Sequence, residues 1–79
     1  MPADVAHGNA PVTVKPVVNA IRILRLLSQA GRPERAVDIA RQLDINPSTC
    51  FNILRTLAAE DMVEFNAMSK RYSAGLGLA

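Results

Sequence analysis

Between Ala36 and Leu57 the apolar residues include Ile39, Ala40, Leu43, Ile45, Cys50, Ile53, Leu54 and Leu57. This spacing constrains the chain more than any other feature. It fits two short helices, over 36–43 and 47–59, that cross near a right angle through a tight turn. Ala40 is small where such helices approach most closely, and Ile45 plugs the turn. Asp44 stands where the chain needs a left-handed backbone, which Asp tolerates better than most residues with a Cβ. The second helix has the clearest start in the chain: Asn46 to cap, Pro47 at the first helical position, then Ser48 and Thr49. The first starts weakly. It has no capping side chain, although Asp38 suits the dipole of its first turn.

Upstream, a further helix is expected from about Val17 to Ala30, with Pro16 before it and Gly31 as a left-handed stop. Val17, Ala20, Ile21, Ile23, Leu24, Leu26, Leu27 and Ala30 form an apolar arc wider than half its circumference. A surface helix needs a stripe of only about 100°. The surplus points to packing beyond its own core, although a wholly internal use is the other reading. Downstream, Met62-Val63-Glu64-Phe65 alternates like a strand, Asn66 to Ser69 turns, and Arg71-Tyr72-Ser73 resumes the extended pattern. The expected fold is therefore mainly α with a small β-hairpin: three helices plus a wing, a winged helix-turn-helix over 16–75. Residues 1–15, with four Pro or Gly up to the boundary at Pro16, read as a flexible tail.

A chain of 79 residues is one small domain, which buries only roughly 60% of its unfolded surface. One cysteine, Cys50, makes no internal disulfide, and Cys50 with His7 makes no zinc site. Association with a second chain is the remaining support. No apolar run approaches the ~20 residues of a membrane span, and the N-terminus lacks signal-peptide character. A reducing cytoplasmic setting without membrane partners is the expectation. There is no nucleophile–base pair, no metal-ligand cluster and no glycine-rich phosphate loop, so neither an enzyme nor a cofactor is expected. The net charge of +2 is only mildly basic, so position matters more than total.

On a helical wheel the outward side of the 47–59 helix carries Ser48, Asn52, Arg55 and Ala59, flanked by Thr49 and Thr56. No acid appears before Glu60. Hydroxyls, an amide and a guanidinium are the groups that read a major groove: Arg takes guanine O6 and N7, Asn takes adenine N6 and N7. A solvated polar face is the plainer reading. Free amides and the positive dipole end of this helix add an attraction for phosphate. Lys70 and Arg71 in the hairpin suit phosphate or the minor groove, or simply a soluble charged turn. Arg35 is a further phosphate candidate, and Lys15 leaves the tail open as a DNA-contacting arm. Glu60, Asp61 and Glu64 belong away from DNA. A winged helix that binds protein instead of DNA is the competing function.

The stretch from Val17 to Leu78 resembles the N-terminal winged helix-turn-helix domain of IclR-type bacterial transcriptional regulators. Its telling parts are Ile39-Ala40, Pro47-Ser48-Thr49, Leu54 with Leu57, Met62-Val63-Glu64, and Arg71-Tyr72 followed by Gly75. The family commonly has Gly where Asp44 and Asp61 stand, Arg where Asn52 stands, and an apolar residue and Thr in place of Glu34 and Arg35. The resemblance implies sequence-specific binding of double-stranded DNA, with 47–59 in the major groove and the 66–71 wing on the backbone or minor groove. It implies a homodimer on a near-palindromic operator, for which Ile23, Leu26 and Ala30 are the expected contact. It also implies that 76–79 begins a linker to a C-terminal domain, absent here, through which alone a small-molecule effector would act.

Overall fold

The computed structural model describes residues 12–75. The elements run α1 (Lys15–Ala30), β1 (Glu34–Arg35), α2 (Ala36–Leu43), α3 (Pro47–Ala59), β2 (Val63–Asn66) and β3 (Arg71–Ala74). The three helices and the hairpin stand as expected, with two differences. α1 begins at Lys15, so Pro16 sits inside its first turn instead of before it. The tail boundary at residue 15 is thus already helical, while residues 1–11 and the expected linker at 76–79 lie outside the described residues. The second difference is β1. The hairpin is widened to a three-stranded antiparallel sheet in the order β1-β3-β2.

β1 also explains how α2 starts without a capping side chain. Arg35 is its N-cap residue, in extended conformation and with no side-chain hydrogen bond. The backbone of Glu34 and Arg35 is held by pairing with Tyr72 and Arg71, which fixes the direction in which the chain turns into the helix. Glu34 is buried beneath this junction, where its carboxylate accepts from Arg32 Nε at 3.3 Å and Gln42 Nε2 at 3.4 Å.

α2 and α3 end alike. At α2, Asp44 adopts φ 56°, its amide donates to Arg41 O, and Ile45 N donates to Ala40 O at 2.9 Å. At α3, Asp61 adopts φ 63°, its amide donates to Ala58 O, and Met62 N donates to Leu57 O at 2.9 Å. Both are Schellman closures with aspartate at the left-handed position, where glycine is the ordinary choice. Ile45 then drops into the core, as its place in the turn predicts.

The core gathers Ile23 and Leu27 of α1, Ile39 and Ala40 of α2, Cys50 and Leu54 of α3, and Val63 and Tyr72 of the sheet. Arg22, half-buried, adds a polar tie: its guanidinium donates to Asn19 Oδ1 at 3.3 Å and to Leu43 O, an end carbonyl of α2, at 2.7 Å. Gly75 closes the far side of the sheet. A Cβ there would stand 2.6 Å from the Asp61 carbonyl oxygen, so only glycine lets β3 leave so close to the start of β2.

The apolar surplus of α1 is real, but most of its exposed part lies away from the expected contact at Ile23, Leu26 and Ala30. Ile23 is wholly buried and offers no contact surface, whereas Leu26 packs against the core yet is only half-buried and lines a surface groove with Ala30. Ala30 alone of the three is exposed. The helix presents its core side to α3 and β3, and this leaves Val14, Val17, Val18 and Ile21 uncovered on the opposite side.

Candidate nucleic-acid interface

Asn46 positions α3. Its Oδ1 accepts from Ser48 N at 2.9 Å and Thr49 N at 3.3 Å, while its carbonyl accepts from Cys50 N at 2.9 Å. Pro47 has no amide hydrogen. The donors of Ser48, Thr49 and Cys50 are therefore already engaged, which narrows the expectation of free amides waiting for a phosphate to the amide of Asn46 itself. The dipole remains, and further anion contacts here fall to side chains.

Ser48, Thr49, Asn52, Arg55 and Thr56 are all exposed along α3. Thr56 spends its hydroxyl hydrogen on Asn52 O at 2.9 Å, so in this rotamer it offers only acceptor capacity outward. Phe51 belongs to the same outward side and is 45% exposed. One turn later, the Arg55 guanidinium lies 5.7 Å from the centroid of the Phe51 ring, within cation–π range. Sequence reasoning passed over Phe51 because an apolar residue in an amphipathic helix is assigned inward by default. Its place beside Arg55 on the wheel was the available signal.

The sheet supplies the second half of the candidate surface. Arg35 and Arg71 are directly opposed across the β1–β3 ladder, and both are exposed. Like charges in that relation repel. The ion pairs among the described residues are Arg32–Glu34 and Asp38–Arg41, so no carboxylate relieves either arginine. Glu64 shares this side of the sheet, two residues along β2 from Asn66, the partner of Arg71. The acid expected away from the DNA-facing side thus lies on the same face of the sheet as Arg71, with no ion pair to it.

At the wing tip, Asn66 Oδ1 accepts from Met68 N at 2.9 Å and Ser69 N at 3.0 Å, and Lys70 N donates to Asn66 O at 2.7 Å. This turn holds Lys70 at φ 60° and leaves Met68 95% exposed. Between α3 and the wing runs a cleft of about 360 Å³, bordered by Arg35 and Lys70 and floored by Phe51, Phe65 and Tyr72. A second cleft of about 250 Å³ continues from the same rings to Arg55. The Phe65 and Tyr72 rings pack at 4.8 Å between centroids. Burial pushes the Tyr72 phenol above its ordinary range, and the Arg55 charge works against that rise. The structure thus brings Arg35, Arg55 and Lys70 around one aromatic floor that spacing alone does not reveal. Ser48, Thr49 and Asn52 do not border either cleft. Thr49 instead shares a groove of about 450 Å³ with Lys15 and Asn46, which brings the start of α1 beside the start of α3. Lys15 is a cation of this side that sequence reasoning assigned to the tail.

The profile of the IclR helix-turn-helix domain matches residues 16–67. The chain belongs to the IclR family. An IclR transcriptional regulator from Alicyclobacillus acidocaldarius superposes with a TM-score of 0.80 at 41% identity, over 85% of this chain and 27% of that one. An IclR family transcriptional regulator from Brucella abortus gives a TM-score of 0.79 at 18% identity, over 99% of this chain and 30% of that one. HmgR of Pseudomonas aeruginosa gives 0.73 at 20% identity, over 82% and 28%. The last two speak for the fold alone. This IclR domain spans less than a third of the length of each of these structures. Comparison with curated proteins finds no match. Among the described residues, Asp44 and Asp61 occupy two of the three positive-φ sites held by residues other than glycine, and Lys70 is the third.

Proposed function

We propose that this IclR domain binds double-stranded DNA sequence-specifically, as the DNA-binding part of a bacterial transcriptional regulator. In this reading α3 enters the major groove, where Ser48, Asn52 and Arg55 face base edges and Thr49 and Thr56 lie at its flanks. The wing, with Lys70 and Arg71, lies on the backbone or in the minor groove, and Arg35 meets a phosphate. The observation that carries the proposal is the opposed pair Arg35 and Arg71. Two exposed arginines on paired strand positions, neither in an ion pair among the described residues, can both present their forks to a phosphate.

The proposal extends to a second copy joined through the uncovered row Val14, Val17, Val18 and Ile21. Two such chains present two recognition helices to sites about 34 Å apart on a near-palindromic operator. The test is fluorescence anisotropy on sites selected from a random DNA pool, repeated over a range of salt. Affinity should fall steeply with salt, and Arg35→Ala with Arg71→Ala should flatten the log–log slope by about 2. Binding that ignores salt, or a double variant with the wild-type slope, would overturn this function.

A further inference from the structure

We infer that Phe51 and Arg55 form one reading unit for a thymine beside a guanine: the Phe51 ring seats the thymine 5-methyl group while Arg55 donates to O6 and N7 of the neighbouring guanine. This rests on the DNA-binding reading above. Its ground is the contrast along α3. Cys50 and Leu54 are fully buried, whereas Phe51, between them, leaves 45% of its surface in solvent. The ring lies in the first half of the helix, the part that meets base edges in a helix-turn-helix.

The ring borders both clefts, with the packed Phe65–Tyr72 pair alongside it. Arg55 sits at 5.7 Å from its centroid and takes part in no ion pair among the described residues. A guanidinium attracted to a ring still has its N–H edge available for acceptors, and it is already ordered before binding. The unit therefore offers an apolar ring and a two-pronged donor next to each other. Its complement is a methyl group adjacent to a pair of acceptors. Among the natural bases in the major groove only thymine displays a methyl, and only guanine displays two acceptors on one base.

The test uses the selected sites and replaces each thymine in turn by deoxyuridine, which removes the methyl and nothing else. For the wild type, one thymine per half-site, next to a guanine, should show a loss of about fourfold, the effect of one methyl-sized apolar group. Phe51→Ala should bind thymine and uracil sites equally, and Phe51→Leu, which keeps an apolar contact, should retain a preference for thymine. Replacing the neighbouring guanine by 7-deazaguanine should weaken the wild type but not Arg55→Ala. Thermal melts of the variants establish that each is folded. Salt-dependent, site-selective binding with no methyl effect at any thymine overturns this inference alone. So does an undiminished methyl effect in folded Phe51→Ala. Absence of salt-dependent binding overturns the DNA-binding function and this unit together, and an apolar protein ligand captured on the Phe51–Phe65 floor in its place would do the same.

Discussion

α1 with its cap turns Val14, Val17, Val18 and Ile21 outward, whereas α3 turns Ser48, Thr49, Asn52 and Arg55 outward. Their inner faces are alike: Ile23 and Leu27 on one, Cys50 and Leu54 on the other, all within the same core. The two helices therefore do the same work for the fold and opposite work at the surface. An apolar outward row lowers its energy by leaving water, which another protein chain allows. A row of hydroxyls, amide and guanidinium gains nothing by leaving water unless its hydrogen bonds are replaced one for one. The contrast separates a surface suited to a protein copy from one suited to base edges, within a single 64-residue stretch, residues 12–75.

The comparison is most sharply tested from the inside. Leu27→Ala and Leu54→Ala should each destabilise the domain by about 2–5 kcal/mol in chemical denaturation, because both are buried aliphatic truncations. A small effect at one of them would show that the inner faces are not equivalent. The outer faces should then diverge. Arg55→Ala should weaken specific binding by about 1–3 kcal/mol with little change in melting temperature. Equal losses on specific and random DNA would reassign Arg55 to a phosphate. If the proposed pairing through α1 holds, Ile21→Glu should weaken the dimer by at least about tenfold, the cost of one lost apolar contact, without destabilising the monomer. Sedimentation reads this directly, and an unchanged constant would remove α1 from the interface. Leu26→Glu differs: its partly buried side chain should make it unstable as a monomer. Smallest are Asp44→Gly and Asp61→Gly, each expected to stabilise by about 0.5 kcal/mol as left-handed strain is relieved against a greater loss of chain entropy.

What was legible in the sequence follows the range of the forces involved. The helix-turn-helix is written in neighbouring residues: Asn46 caps with its own side chain, Asp44 takes the left-handed turn, and Ile45 falls inward beside both. The surplus on α1 was legible as an amount but not as a direction. A wide apolar arc does not say which part the core will cover, since that is decided by α3 and β3. β1 left no local trace at all. Glu34 and Arg35 have neither alternation nor β-branching, and they are extended because β3 offers them a ladder. At the candidate site, the polar residues of α3 were readable from periodicity. The aromatic floor was not, since Phe51, Phe65 and Tyr72 come from three elements and meet only in the folded chain.

The two-residue β1 has a consequence for motion. Its ladder pairs Arg35 with Arg71, and like charges opposed across a ladder weaken the pairing that fixes the start of α2. In the free protein this junction should open more readily than the helices beside it, and its amide hydrogens should exchange early. An anion bridging the two guanidiniums would convert that repulsion into attraction and slow the exchange. In the proposed function the sheet edge would act as a latch whose closing accompanies binding, so that affinity and local order would rise together.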